Sequence, residues 1–325
     1  MQAITHLPFM RVMHAFGGPD YFVTEYFRVY EGYVLDKNIL RSITENATGR
    51  PVDAQLIGQH IPSLVRISKE LLEFPTSGID LNLGCPAPVV CRKDAGGGLL
   101  RKPDHLNRIL EALRKSIPGR FTVKTRLGYE SPEEFTRLIE IFSQHGLDAL
   151  TIHARTVRER YQTPIHPEQI RFAVQTMPCP VIANGNVVDV STGQNLIAQT
   201  MADGLMIGRG AIRSPWIFKQ LRNAYAGEPV QTITRADLLE YINLLYDTIA
   251  DDLPVFDEQK HVNHMKKYLV YIVQGLDTEF EHQIRRATTG KNFKQTCLTF
   301  LDSREPVPVF PPNHSKLFCG FDTLR

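Results

Sequence analysis

Gly78-Ile79-Asp80-Leu81 runs directly into Asn82-Leu83-Gly84-Cys85-Pro86. A short apolar run ending in glycine and proline predicts a buried parallel strand over Gly78–Gly84 that opens onto a tight turn. Gly84 lets the backbone turn and Pro86 fixes the exit, so a thiol is held on a stiff corner. In an α/β barrel the C-terminal strand ends form the active face. A cysteine there also serves as plain core packing. Asn82 at the same rim, and the run Gly96-Gly97-Gly98 that soon follows, favour a functional thiol at Cys85.

Working outward, short β-rich runs alternate with longer helical patterns, which predicts a parallel α/β architecture. Strands are expected at Tyr21–Glu25, Val52–Gly58, Gly78–Gly84, Phe121–Arg126, Ala149–His153, Val181–Asn184 and Gly204–Ile207. They read as near-continuously apolar, as strands buried on both faces do. Amphipathic stretches between them include Pro62–Leu72, His105–Ser116, Pro132–His145 and Val190–Ala198. From about Leu238 the pattern becomes purely helical, with further helices at about Glu258–Gln274 and Phe280–Thr288. The segment after Asp302 holds Pro306, Pro308, Pro311 and Pro312 and predicts an extended, poorly structured tail. The expected organisation is a barrel over 1–230, a helical domain over 231–300 and a proline-rich tail over 301–325.

The 325 residues are 42% hydrophobic and 22% charged, an ordinary globular composition. No apolar run nears the roughly 20 residues of a membrane span, and no signal peptide is visible. Five scattered cysteines suit neither a disulfide framework nor a zinc site, so a reducing cytoplasm is expected and no metal. The net charge of +2 does not announce a nucleic-acid partner. Residues 226–325 carry 11 Lys/Arg against 14 Asp/Glu. Arg285, Arg286, Lys291 and Lys294 nevertheless cluster within ten residues. No protein partner is implied, and a monomer is expected.

Two late strands end in Asn184-Gly185-Asn186 and Gly208-Arg209-Gly210. Glycines at adjacent rims let a phosphate approach backbone N–H groups, and Arg209 adds a charged donor, so a phosphate site is expected there. Lys124 and His153 end two middle strands and Gln55 an earlier one. A lysine in a barrel mouth is costly to bury without an anionic partner.

Asn-x-Gly-Cys-Pro with its following glycine run resembles the active-site signature of the tRNA-dihydrouridine synthases. Val123-Lys124-Thr125-Arg126-Leu127-Gly128, His153-Ala154-Arg155-Thr156 with Tyr161, and the two glycine-rich strand ends resemble further family segments in the same order. The resemblance covers about residues 1 to 295. It implies a (β/α)8 barrel of the TIM type with a C-terminal helical domain, FMN as cofactor, NADPH as reductant and tRNA as substrate. It also implies that Gln55, Lys124, His153, Asn184, Gly185, Asn186, Gly208 and Arg209 hold FMN, and that Asn82, Arg126 and Tyr161 hold the uracil. Hydride from reduced FMN would reach C6 and a proton from Cys85 would reach C5. A free thiol ionises near pH 8.5 and is therefore mostly protonated at neutral pH. Arg285 and Arg286 are candidates for tRNA contact, with His264, Lys266 and Lys267 beside them.

The segment Thr24-Glu25-Tyr26-Phe27-Arg28-Val29 resembles the subfamily acting at position 16 of the D-loop. Only seven strands are readable where eight are needed, and Met1 aligns with the end of the family's first strand. That strand is expected to be absent, with a gap or substitute segment between the Tyr21–Glu25 and Gly204–Ile207 strands, through a late start or a truncation. Competing readings are a reductase of a free pyrimidine resembling dihydroorotate dehydrogenase, a Schiff-base aldolase using Lys124, and an inactive RNA-binding relic.

Overall fold

The computed structural model describes residues 4–161 and 163–319. The chain opens with α1 (Leu7–Ala15), then a strand in two pieces, β1 (Phe22–Val23) and β2 (Phe27–Arg28), followed by α2 (Lys37–Thr44). Next come β3 (Val52–Ile57), α3 (Ile61–Leu72), β4 (Gly78–Leu83), the short α4 (Pro88–Cys91), α5 (Pro103–Ser116) and β5 (Phe121–Arg126). The alternation continues with α6 (Phe135–Ser143), β6 (Ala149–His153), α7 (Pro167–Thr176), β7 (Val181–Asn184), α8 (Val190–Thr200) and β8 (Gly204–Leu205). Two helices, α9 (Arg209–Arg213) and α10 (Ile217–Ala226), lead out of the sheet. A run of helices then follows: α11 (Arg235–Asp251), α12 (Glu258–Ile272), α13 (Thr278–Arg286), α14 (Gly290–Leu301) and the short α15 (Lys316–Cys319).

All ladders joining the strands are parallel, in the order β1/β2, β3, β4, β5, β6, β7, β8. This is a parallel sheet with helices, like that of a TIM-type (β/α) barrel, with a helical C-terminal region. Among the described residues no ladder joins β8 to β1. One side chain ties α10 to the segment that leads into β1. Arg222 on α10 donates to the carbonyls of Gly17 and Gly18 at 2.7 and 3.0 Å, and pairs with Asp20 at 3.3 Å. The expectation for Met1 lies outside the described residues.

The central strands are buried on both faces, yet their residues alternate in kind. Ala54, Leu56, Ile79, Leu81, Val123, Leu150 and Ile152 occupy one set of positions and are wholly buried. Gln55, Asp80, Asn82, Thr122, Lys124, Thr151 and His153 occupy the other. Successive side chains point to opposite faces, so the apolar set packs on the helices and the polar set fills the barrel interior. The near-continuously apolar reading of these strands needs this correction. Register stacks the polar set across the sheet: Gln55 lies opposite Asp80, Asn82 opposite Lys124, Arg126 opposite His153, and His153 opposite Asn184.

The first strand continues past Glu25 to Arg28 and is broken by a bulge. Four steps from Val23 to Phe27 stand against three from Asp53 to Leu56 on β3. A bulge re-aims the side chains that follow it. Here Phe27 is fully buried, and the guanidinium of Arg28 lies 5.6 Å from the centre of the Tyr26 ring.

The C-terminal region contains α14, a fourth long helix beyond the three expected. Its N-cap Thr289 accepts from the Asn292 N–H. The proline-rich segment is extended but tied down rather than poorly structured. Arg213, buried on α9, donates to the carbonyls of Pro308 at 2.7 Å, Val309 at 3.1 Å and Gln274 at 3.4 Å. Pro306 bridges to Thr234, and Leu317 is buried. Arg213→Met leaves three carbonyls short of a donor and is expected to cost about 2–3 kcal/mol. Urea unfolding would measure this, and limited proteolysis should then cut within 306–316. An unchanged midpoint and an uncut segment would remove Arg213 as the clamp.

Candidate active site

Cys85 sits one turn beyond β4, and its backbone is held from below. The Asn82 side-chain oxygen accepts from the N–H groups of Gly84 and Cys85, each at 3.0 Å. The Asn82 amide nitrogen donates to Gln55 Oε1 at 2.8 Å. Gln55 Nε2 in turn donates to Asp80 Oδ2 at 2.8 Å, and Thr122 Oγ1 donates to Asp80 Oδ1 at 2.7 Å. Burial pushes the Asp80 carboxyl above the usual carboxylate range, against hydrogen bonds from Thr122 and Gln55 that lower it. The glycine run braces the same turn from the side. The Gly97 N–H donates to the Cys85 carbonyl at 3.0 Å, and a Cβ on Gly98 would meet the Cys91 carbonyl oxygen at 2.5 Å. Cys91 is buried beneath this loop, and burial raises its thiol's pKa.

Lys124 rises from β5 beside Asn82. Its ammonium has no hydrogen-bond or ion-pair partner among the described residues, and burial brings its pKa down to about 8. His153 Nδ1 bonds Asn184 Oδ1 at 2.8 Å. Burial first, then the nearby cations Arg126 and Lys124, hold this imidazole well below its ordinary pKa, so it is neutral. The second end of the Asn184 amide donates to the Met206 carbonyl at 2.7 Å.

Three guanidiniums gather at the same rim. Arg126 is buried and donates to the carbonyls of Gly84, Thr156 and Arg160, each at 2.8 Å. Arg155 donates to the Thr163 carbonyl at 2.7 Å and to Asn186 Oδ1 at 3.2 Å. Arg209 donates to the Lys316 carbonyl at 3.0 Å. Tyr161 lies among them, its ring centre 5.1 Å from the Arg126 guanidinium and 4.4 Å from that of Arg209, with an edge contact to His153 at 5.8 Å. Burial, then Arg209 and Arg126, lower the Arg155 pKa to about 10. So many cations in one place favour an anionic ligand.

The structure thus brings together Gln55, Asn82, Cys85, Lys124, Arg126, His153, Tyr161, Asn184, Asn186 and Arg209. The amides of Gln55, Asn82 and Asn184 are already engaged with the protein, as is the Asn186 oxygen. A phosphate at the late strand ends is therefore left to backbone N–H groups and to cations. Gly185 suits that role with φ of 150°, and Gly208 precedes α9. The donor set fits FMN on two grounds, the unpartnered Lys124 ammonium and the cluster of guanidiniums. Arg285 and Arg286 stand elsewhere, exposed on the last turn of α13, with Arg285 paired to Glu281 at 2.9 Å. His264 is turned toward the N-terminal segment, where its ring stacks on Tyr268 at 5.6 Å and meets His6 at 5.3 Å.

Sequence reasoning passed over Asp80, Thr122 and Tyr26. For Asp80 a signal existed: it shares a strand face with Asn82, two residues away. Tyr26 was masked by the bulge. Its hydroxyl faces the Cys85 thiol and Arg28, and burial together with Cys85 pushes its pKa up to about 12.

Comparison with known proteins places the chain in a family. The family model described as dihydrouridine synthase (Dus) matches residues 1–305. The tRNA-dihydrouridine(16) synthase of Pasteurella multocida is 35% identical over 205 residues, 60% of this chain and 66% of that one, just under two thirds of the relative's length. Its counterpart in Neisseria meningitidis serogroup A is 31% identical, covering 71% of this chain and 72% of the other. The tRNA-dihydrouridine synthase B of Pasteurella multocida is 27% identical, covering 85% and 82%. The old yellow enzyme homologue of Zymomonas mobilis aligns with a TM-score of 0.49 at 13% identity over 71% of this chain and 84% of that one, too loosely to bear on function. With a family match over residues 1–305, nearly its whole length, this chain belongs to the dihydrouridine synthase family.

Proposed function

We propose that the protein reduces uridine in the D-loop of tRNA to 5,6-dihydrouridine, with Cys85 as general acid. The observation that carries this reading is a free thiol on a braced turn beside the unpartnered Lys124 and the guanidiniums of Arg126, Arg155 and Arg209. FMN, when bound, supplies the hydride for C6 of the uracil, and NADPH is the expected reductant. Lys124 and His153 would lie along the flavin, with Gly185, Gly208 and Arg209 toward its phosphate. Lys124 offers a cation to an electron-rich ring edge, and neutral His153 adds no second charge there. Arg126 and Tyr161 flank the uracil, and Asn82 fixes the backbone from which the thiol projects. Cys85 gives its proton to C5 from Sγ and regains one from water. The base must leave its stack to reach this pocket.

The resemblance of Thr24–Val29 and the relatives named for position 16 support action at that uridine. Purified protein should show flavin absorbance and convert uridine in unmodified tRNA when given NADPH, as read by nucleoside mass spectrometry. Colourless protein that takes up no FMN, or tRNA left unchanged by flavin-loaded protein, would defeat the reading. No helix among the described residues is long and apolar enough to cross a membrane, and action in the cytoplasm as a monomer fits a tRNA substrate.

The helical region is proposed to dock the tRNA through Arg285 and Arg286. Structured RNA is held largely through its backbone. Reversing both charges to glutamate should weaken tRNA binding about tenfold or more and lower the salt slope by about one for each phosphate no longer neutralised. Flavin content should stay the same. Affinity unaltered across salt concentrations would place the docking surface elsewhere.

A further inference from the structure

We infer that Asp80 is a positioning residue: through Gln55 and Asn82 it fixes the turn that presents Cys85. The inference rests on the reading of Cys85 as general acid and assigns a residue two steps removed from the chemistry. The chain of bonds has one polarity. Asp80 Oδ2 accepts from Gln55 Nε2 at 2.8 Å, so Gln55 shows its oxygen to Asn82. Gln55 Oε1 accepts from Asn82 Nδ2 at 2.8 Å, so Asn82 shows its oxygen to the turn. That oxygen accepts from the Gly84 and Cys85 N–H groups, each at 3.0 Å.

An amide carries an acceptor at one end and donors at the other. Reversing Asn82 would set donor against donor at the Gly84 and Cys85 N–H groups, and reversing Gln55 would set its oxygen against the Asp80 carboxylate; either leaves buried polar groups unpaired, which is costly. The Gly84 and Cys85 N–H groups fix the relay at one end and the acceptor-only carboxylate fixes it at the other. Asp80 is 2% exposed and Gln55 7%, so water is poorly placed to substitute. Protonation does not reverse the relay. A proton on Oδ1 faces the Thr122 hydroxyl, which can accept as well as donate, and Oδ2 still accepts from Gln55.

The two hydrogen bonds to Asp80 therefore have different consequences, although they are alike in length and burial. Gln55 passes the polarity on; Thr122 does not. Residue-resolved hydrogen exchange on the full chain, without substrate, separates them. Gln55→Met and Asp80→Leu should each speed exchange at the Gly84 and Cys85 amides about tenfold or more, as expected when one hydrogen bond is removed. Thr122→Val should leave both amides within about twofold. Asp80→Asn should restore slow exchange, because its oxygen can face Gln55 and its nitrogen can face the Thr122 hydroxyl. Should Asp80→Leu fail to fold, Gln55→Met against Thr122→Val still decides. Equal effects from those two variants, or none from Gln55→Met, would overturn the inference. Failure of Cys85 as the acid would show in the activity of Cys85→Ala and would leave these exchange rates as they are.

Discussion

Cys85→Ala is expected to lower dihydrouridine formation by about 10²–10⁴-fold, the usual cost of losing a positioned general acid. The fold should be unaffected. The turn is held through the Cys85 N–H and carbonyl, which alanine keeps, and no bond of the Asn82 relay involves the sulfur. Flavin content and tRNA affinity should therefore match the parent. Cys91→Ala is the control. That thiol is buried under the loop and points at the Cys85 carbonyl, 3.5 Å away, so its removal should cost packing and little rate. Single-turnover assays on both variants decide the matter. Cys91→Ala slower than Cys85→Ala, or Cys85→Ala within about threefold of the parent, would reassign the acid.

Lys124→Met should change stability and cofactor affinity in opposite directions. The folded chain holds this ammonium with a pKa of about 8 because burial disfavours its charge. The unfolded chain titrates near 10.4. Between these values the unfolded state binds a proton that the folded state has released, so the stability of the cofactor-free protein rises with pH across that window. Below about pH 8 the full cost of burying the ammonium is present, up to about 3 kcal/mol as an upper bound. Methionine removes that cost. The cofactor-free variant should melt higher than the parent at pH 7, and the difference should shrink by pH 10. FMN affinity should meanwhile fall about 10- to 100-fold, as for the removal of a charge-assisted hydrogen bond. A variant that is less stable at pH 7 would show that the ammonium is not buried at a cost, and one that binds FMN as before would show that Lys124 does not face the cofactor.

The sequence by itself determined the βα alternation, six of the strands to within a few residues, and the rim positions of Cys85, Lys124, His153 and the late glycines. These are local properties. A strand's length, its closing glycine and the residue at its tip are all written in consecutive positions. Only the tertiary structure decided what those tips touch. Asn82 reads as a group free to hold a substrate, but its amide is turned to Gln55 and the Cys85 turn by a carboxylate on its own strand. The bulge before Phe27 depends on register against β3, some thirty residues away, and no local pattern records it. The proline-rich segment has too few apolar residues to predict packing. It is held because Arg213 and Arg209, far back in the chain, donate to its carbonyls. Backbone acceptors exist at every residue, so which of them a distant guanidinium reaches is a matter of three-dimensional placement alone.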